Sequence, residues 1–166
     1  MNAATALLLA ALAAPSFARA AAPAPAAPPR DPAQLAPLFA VASSTSVEVA
    51  KAQAAWTALV ETALENPAPA KALLPGWLRS RDPEQRFRAL ALTKEGVWAP
   101  AFAPLVRQIL LKDADEENRA EAALTLGANE VHAAKPDLLK AARDRSAAVR
   151  EAAGEALAAL ESADAD

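Results

Sequence analysis

Aspartate and arginine recur in this sequence at a constant spacing. Three aspartates lie 31 residues apart, and each is followed six residues later by an arginine: Asp82 with Arg88, Asp113 with Arg119, and Asp144 with Arg150. A carboxylate at a turn accepts hydrogen bonds from the free amides of a helix start, and a guanidinium donates several at once. An arginine can therefore tie the carboxylate of one turn to the next layer. We predict that these six residues form a structural ladder and not a catalytic set.

The period of the ladder predicts stacked helical units. Self-similarity near 30 residues is typical of repeat proteins whose units bury their faces against their neighbours. Helix patterns and turn signals divide residues 67–161 into three pairs of short helices, at about 69–80 and 83–95, 100–112 and 115–127, and 135–143 and 146–161. Aromatic residues are only 4% and much of the 54% apolar content is alanine, which favours close helix packing. Residues 46–66 are predicted to form an N-terminal capping helix with Trp56 in its apolar stripe.

The second helix of each pair carries a motif that resembles a known family. Residues 149–158 read VREAAGEALA, residues 118–127 read NRAEAALTLG, and residues 87–92 read FRALAL. These segments resemble the short HEAT repeats also called PBS-lyase HEAT-like, over about residues 69–161. The resemblance implies an all-α fold: a short right-handed α-solenoid of about three helix pairs. It also implies that each turn aspartate bonds an arginine across adjacent repeats, and that the second helices line the concave face.

Charge is sorted between the two kinds of helix. The first helices are mostly basic, whereas the later second helices are acidic and contain the i,i+4 pairs Glu117/Glu121 and Glu151/Glu155. Like charges at this spacing are mildly unfavourable, so the four acids are candidates for binding a basic surface or peptide. Ordinary solvated helix faces are the alternative. Carboxylates without a dedicated loop are a weak metal signal, and no metal site is predicted.

The loop between the first two pairs holds a second candidate. Trp98 and Phe102 flank a short Ala-Pro-Ala segment. Exposed aromatic residues on loops often mark contacts with a partner. The alternative is that the two rings pack over the helix ends and staple the repeats together.

The composition argues against catalysis. The chain has no cysteine, no tyrosine and one histidine, which removes most nucleophiles and general bases. Two carboxylates acting as acid and base would need a cleft that a short helical stack does not offer. The net charge of −3 gives no footprint for nucleic acid. We expect a protein that is not an enzyme, with no cofactor and no nucleic-acid partner.

The N-terminal third carries a targeting signal and a spacer. Residues 3–14 are an apolar run too short to span a bilayer, and residues 18–20 read ARA, which fits a signal-peptidase site. We expect a secretory signal peptide at 1–20, cleaved after Ala20, and a periplasmic or secreted mature chain without a membrane span. An Ala-rich N-terminal helix is the alternative. Residues 21–45 are expected to be a largely disordered Ala/Pro-rich linker, and residues 162–166 a disordered tail.

These observations favour an exported, non-catalytic scaffold that binds a protein partner. Solenoids expose extended faces that suit recognition. Two alternatives remain. Some HEAT-like relatives attach bilins to proteins, so the chain could be an accessory or subunit of such an enzyme. It could also be a structural piece of an envelope assembly, with the Ala/Pro segment as a spacer.

Overall fold

The computed structural model describes residues 32–163, which form helices and no strand. Short 3₁₀ turns at Pro32–Gln34, Pro100–Phe102 and His132–Ala134 precede α1, α5 and α7. The helices are α1 (Leu35–Ala42), α2 (Val49–Glu65), α3 (Pro67–Trp77), α4 (Pro83–Lys94), α5 (Ala103–Lys112), α6 (Glu116–Ala128), α7 (Lys135–Ala141) and α8 (Ala147–Ala163). The prediction of an all-α fold is confirmed for this part of the chain.

Helices α3 to α8 form three consecutive pairs. The second helices α4, α6 and α8 pack against one another in sequence order and form one layer. The first helices α5 and α7 contact each other on the other side of the core. Side chains between the layers are mainly leucine, valine and alanine, with Leu90, Leu126 and Leu138 fully buried. Each pair thus buries its apolar faces only by stacking on its neighbours.

Short polar side chains start the second helices. Asp82 accepts a hydrogen bond from the backbone amide of Glu84, and Pro83 occupies the first helical position of α4. Asp115 accepts hydrogen bonds from the backbone amides of Glu117 and Asn118, at 2.9 and 3.1 Å. These contacts satisfy amides that have no partner inside the helix. The predicted starts of α4 and α6 therefore lie within one residue of the observed ones.

The N-terminal cap has two helices instead of one. Leu35 and Phe39 of α1 are buried, and the Phe39 ring stacks on Trp77 of α3 with 3.9 Å between ring centroids. The expected linker at 21–45 is therefore wrong for residues 35–42. Pro37 does not interrupt α1, because it lies in the first turn, where the missing amide costs nothing. Residues 1–31, with the expected signal peptide and most of the linker, lie outside the described residues.

The C-terminal end of the chain is also more helical than expected. Helix α8 continues through Ala163, so the predicted tail at 162–166 is helical at its first two positions. Residues 164–166 lie outside the described residues.

Helices α6 and α8 lie very close together at Gly127. A Cβ added to this glycine would lie 2.7 Å from the Ala156 Cα and 2.8 Å from its Cβ. Real Cβ atoms do not come this near to backbone, so the two helices can be this close only because residue 127 has no side chain. The small residues of the repeat motif thus set the spacing of the second-helix layer.

Replacing Gly127 tests this close approach. We expect Gly127→Ala to lower the free energy of unfolding by about 1–3 kcal/mol, because overpacking outweighs the better helix propensity of alanine. Gly76→Ala is the matched control, since a Cβ there meets nothing within 4 Å. That control should leave stability unchanged or raise it by up to about 1 kcal/mol. Urea titrations of both variants would measure the difference, and equal effects would contradict the packing argument.

Candidate partner-binding surface

A buried ion pair joins the second and third helix pairs. The Arg119 guanidinium of α6 donates from Nε and Nη2 to both carboxylate oxygens of Asp144, at 3.0 and 2.9 Å. Its Nη1 donates to the backbone carbonyls of Asp113 and Ala114, at the turn of its own pair. Asp144 in turn accepts from the Ser146 amide at 2.9 Å. Arg119 therefore links its own turn to the next one, as the ladder prediction required of these two residues.

The same arrangement joins the first and second pairs through a different arginine from the one expected. Arg86 donates from Nε and Nη2 to the Asp113 carboxylate, at 2.6 and 2.8 Å, and from Nη1 to the carbonyls of Ser80 and Arg81. Asp113 accepts from the Asp115 amide at 3.0 Å. In the first pair, the ladder position is thus held by Arg86 and not by Arg88.

The other two predicted ladder residues of the first pair have local roles. Asp82 only caps α4, and Ser80 occupies the place that the aspartates hold in the later turns, accepting from the Asp82 amide. Arg88 pairs with Glu84 at 2.8 Å within α4, and its guanidinium carbon lies 5.4 Å from the Trp56 ring centroid. The prediction is therefore wrong for Asp82 and Arg88.

The wrong prediction of Asp82 and Arg88 as ladder residues has a simple cause. Counting from the observed contacts, the arginine period is 33 residues for the first step and 31 for the second. An aspartate and an arginine happen to stand two residues after the true positions in the first copy, so a strict 31-residue period selected them. Burial agrees with the longer step, since Ala89, Leu90, Leu92 and Thr93 match the buried residues Ala122, Ala123, Thr125 and Leu126.

The third arginine of the ladder, Arg150, makes only the contacts with its own turn. Arg150 donates from Nη1 to the carbonyls of Asp144 and Arg145, at 2.8 and 3.0 Å. Within residues 32–163, no carboxylate meets its Nε or Nη2, because no further turn follows in this segment. Its guanidinium is exposed, whereas that of Arg119 is buried.

The ladder shifts the acidity of its carboxylates. Hydrogen bonds from Arg119 hold the pKa of Asp144 below its ordinary value. Burial alone would raise the pKa of Asp113, but the hydrogen bonds from Arg86 and from the Asp115 amide outweigh it and lower that pKa. Both carboxylates are therefore held in the ionised form that the arginines bind.

An ion pair between the first helices of neighbouring repeats was not found from the sequence. Arg107 of α5 donates from Nε to Asp137 of α7 at 2.6 Å, and the Asp137 carboxylate is buried. Both residues lie on first helices, where basic residues outnumber acidic ones. Arg107 and Asp137 are 30 residues apart, close to the repeat length, and that spacing was the available signal.

Three of the four glutamates predicted to bind a basic partner are exposed. Glu117, Glu151 and Glu155 face solvent. Glu121 is different: it is only 7% exposed, and its Oε1 lies 2.6 Å from Lys94 Nζ of α4, an ionic contact without hydrogen-bond geometry. The prediction that Glu121 is available to a basic partner is therefore wrong, because α4 packs over it and supplies its counter-charge.

The aromatic loop is packed instead of free. Phe102 is 4% exposed and belongs to the core, and Trp98 meets it edge-on with 6.0 Å between ring centroids. Trp98 is itself half-buried against the core. The two rings therefore pack against the repeats, as the alternative interpretation of this loop expected. Phe102 is buried and is not available to a partner.

An open groove lies between α6 and α8 beside the close contact. Its floor is formed by Leu124, Gly127 and Ala156, and Lys94 and Glu155 stand at its edges. The cavity volume is about 310 Å³, which is room for one or two side chains of a partner. The groove is open because Gly127 and Ala156 have little or no side chain, and it lies next to the exposed acid Glu155.

Other kinds of site are not apparent in the described part of the chain. Among residues 32–163, no three histidine, aspartate or glutamate side chains converge in a way that could hold a metal ion. No helix within that range has both the length and the apolar character needed to cross a membrane.

Stacked helix pairs with a continuous layer of second helices, joined turn to turn by arginine–aspartate pairs, define an α-solenoid. The family model of HEAT repeats matches residues 103–166, which contain the α5/α6 and α7/α8 pairs, and this match supports the assignment of these two pairs as HEAT repeats. The resemblance read from the motifs is confirmed there; the α3/α4 pair lies outside the match. Comparisons with curated proteins and with solved structures found no match.

Two arginines of α4 distinguish the true ladder from the expected one. We expect Arg86→Ala to lower the free energy of unfolding by about 1–3 kcal/mol, because it leaves the Asp113 carboxylate without its charged donor. Arg119→Ala should cost a similar amount for the same reason. Arg88→Ala is the control in the same helix and should cost clearly less, since its ion pair is half exposed. Thermal melts would rank the variants, and a larger loss for Arg88→Ala would contradict the assignment.

Proposed function

We propose that this protein is a non-catalytic scaffold that binds a protein partner on the layer formed by α4, α6 and α8. HEAT repeats support the general role, because stacked helices present a rigid and extended face. The observation that carries the proposal is the groove over Gly127, open to solvent and bordered by Glu155. A pocket with a small apolar floor and a charged edge accepts a protruding side chain of a partner.

The charges around the groove specify the chemistry of the partner. Glu151 and Glu155 lie one turn apart on α8 and both are exposed. Among the described residues that line the groove, Lys94 is the one cation, and its charge is already balanced by Glu121. The net field there is negative, so it attracts and orients a basic segment. We infer a partner that offers lysine or arginine beside a small apolar side chain.

Replacing the exposed acids tests this surface. We expect Glu151→Gln with Glu155→Gln to weaken capture of the partner by roughly tenfold, because a charge pair at the rim contributes on the order of 1 kcal/mol or less per contact. The like-charge pair is relieved, so the melting temperature should hold or rise slightly. The measurement is affinity capture from the envelope fraction of the native host, with quantitative mass spectrometry at low and high salt.

A matched variant removes the effect of net charge. Glu48→Gln with Glu65→Gln changes charge by the same amount at exposed positions at the two ends of α2. This control should capture the same proteins as the wild type. Salt should reduce wild-type capture more than capture by the α8 variant, since screening removes an attraction the variant has already lost. Equal capture by all three proteins would leave the acids as solvated surface and refute the proposed site.

We also propose that the protein acts outside the cytoplasm. The support is the apolar run at 3–14 followed by the ARA sequence at 18–20. The partner is then an envelope or extracellular protein, and the Ala/Pro-rich residues that follow serve as a spacer.

The N-terminus of the native protein tests export. Mass spectrometry of protein purified from the native host should find Ala21 as the first residue. Replacing Ala18 and Ala20 by Arg should block cleavage, because signal peptidase accepts only small residues at these positions. Native protein that retains residues 1–20 in the cytosolic fraction would refute the proposal.

A further inference from the structure

One face of α8 has the residues of a packing face, although no helix covers it within residues 32–163. Its members recur every three or four positions and therefore share one side of the helix: Ala147, Arg150, Gly154, Leu157, Ala158 and Glu161. This set, called the end face below, lies about half a turn around α8 from Ala156, the residue in contact with α6. It is the outward side of the last helix pair.

The equivalent side of α6 shows what this face is built to do. Arg119, Ala123 and Leu126 are buried in α6, where α8 packs beside it. The residues 31 positions later are Arg150 and Gly154, which are exposed, and Leu157, which is only half-buried. A Cβ added to Gly154 would meet nothing within 4 Å. The end face thus repeats an interior surface of the stack and leaves it in solvent.

The end face carries one positive charge, Arg150, in the first half of α8 and one negative charge, Glu161, in the second half. Arg150 lies four residues before Gly154, and Glu161 lies seven residues after it. The Arg150 guanidinium donates from Nη1 to two backbone carbonyls, and no carboxylate of the described residues meets its Nε or Nη2. In the two inner copies of the ladder this edge binds a carboxylate through two hydrogen bonds. A carboxylate is therefore the group that completes the third copy.

A second copy of this chain supplies that carboxylate if two α8 helices pack antiparallel with Gly154 at the two-fold axis. Arginine side chains lean toward the start of their helix, which in this arrangement lies beside the end of the opposing helix. Arg150 then faces Glu161 of the partner subunit, and the symmetry makes the same pair twice. Gly154, Ala147 and Ala158 allow the helices to approach closely, as Gly127 does between α6 and α8.

We propose that two copies of this chain form a dimer through their end faces, held by paired Arg150–Glu161 contacts. A head-to-tail arrangement fits less well, because α1 and α2 pack on the first repeat and Ser80 replaces the aspartate that would accept an arginine there. The dimer leaves Glu155 free, since it lines the groove on another side of α8, whereas Glu151 borders the end face one turn after Ala147. Two partner-binding layers would then act together in one assembly.

The mass of the full chain in solution tests the dimer. Light scattering coupled to gel filtration should give a mass that approaches twice 17.1 kDa as the concentration rises. Gly154→Gln should weaken association by roughly tenfold or more, because a side chain at the axis prevents the close approach of the two backbones. Gly76→Gln is the matched control at another open helical glycine and should dimerise like the wild type. Circular dichroism should show that both variants are folded.

Exchanging the charges tests the pairing itself. Arg150→Glu should weaken the dimer by roughly tenfold or more, since it places like charges opposite each other. Adding Glu161→Arg to that variant should restore association, because the pair is then formed with its signs reversed. A wild-type protein that stays monomeric at all concentrations would overturn the proposal. So would a Gly154→Gln variant that associates as well as the wild type, or a charge exchange that restores nothing.

Discussion

The fold depends on a guanidinium that is bound on both sides. In each inner step of the ladder, one nitrogen of the arginine is held by carbonyls of its own turn, and the other two donate to the carboxylate of the next turn. Burying such charges is favourable only when every donor and acceptor is satisfied, and here the turn amides complete the set. The contact therefore fixes the register between pairs as well as joining them.

The ladder works only because the helices it joins can lie close together. Gly127 and the alanines around it bring α6 and α8 within backbone contact, and they leave the groove beside that contact. Large side chains are concentrated elsewhere: Phe39 and Trp77 stack where the N-terminal cap meets the first repeat. The same small residues thus set the packing distance and shape the surface that we propose for a partner.

The two ends of the stack are not equivalent. At the N-terminal end, α1 and α2 cover the first repeat, and Ser80 removes the carboxylate that a preceding arginine would need. At the other end of the described residues, Arg150 keeps its donors and Gly154 keeps an open face. Helix α8 also carries the exposed acids Glu151 and Glu155. The groove that we propose for a partner, which Glu155 lines, and the end face that we propose for a second copy thus lie on different sides of this helix.

Local signals were sufficient to predict the helix pairs, the caps at Asp82 and Asp115, and the pairing of Arg119 with Asp144, because periodicity, capping and repeat spacing act over a few residues. Three features depended on which element packs against which. The first ladder step uses Arg86, because two extra residues lie between it and Arg119, and the contact follows the packing and not the mean period. Glu121 is buried because α4 brings Lys94 to it. Helix α1 forms despite Pro37 because the core accepts Leu35 and Phe39. Such contacts join residues far apart in the chain, and only the packed structure decides them.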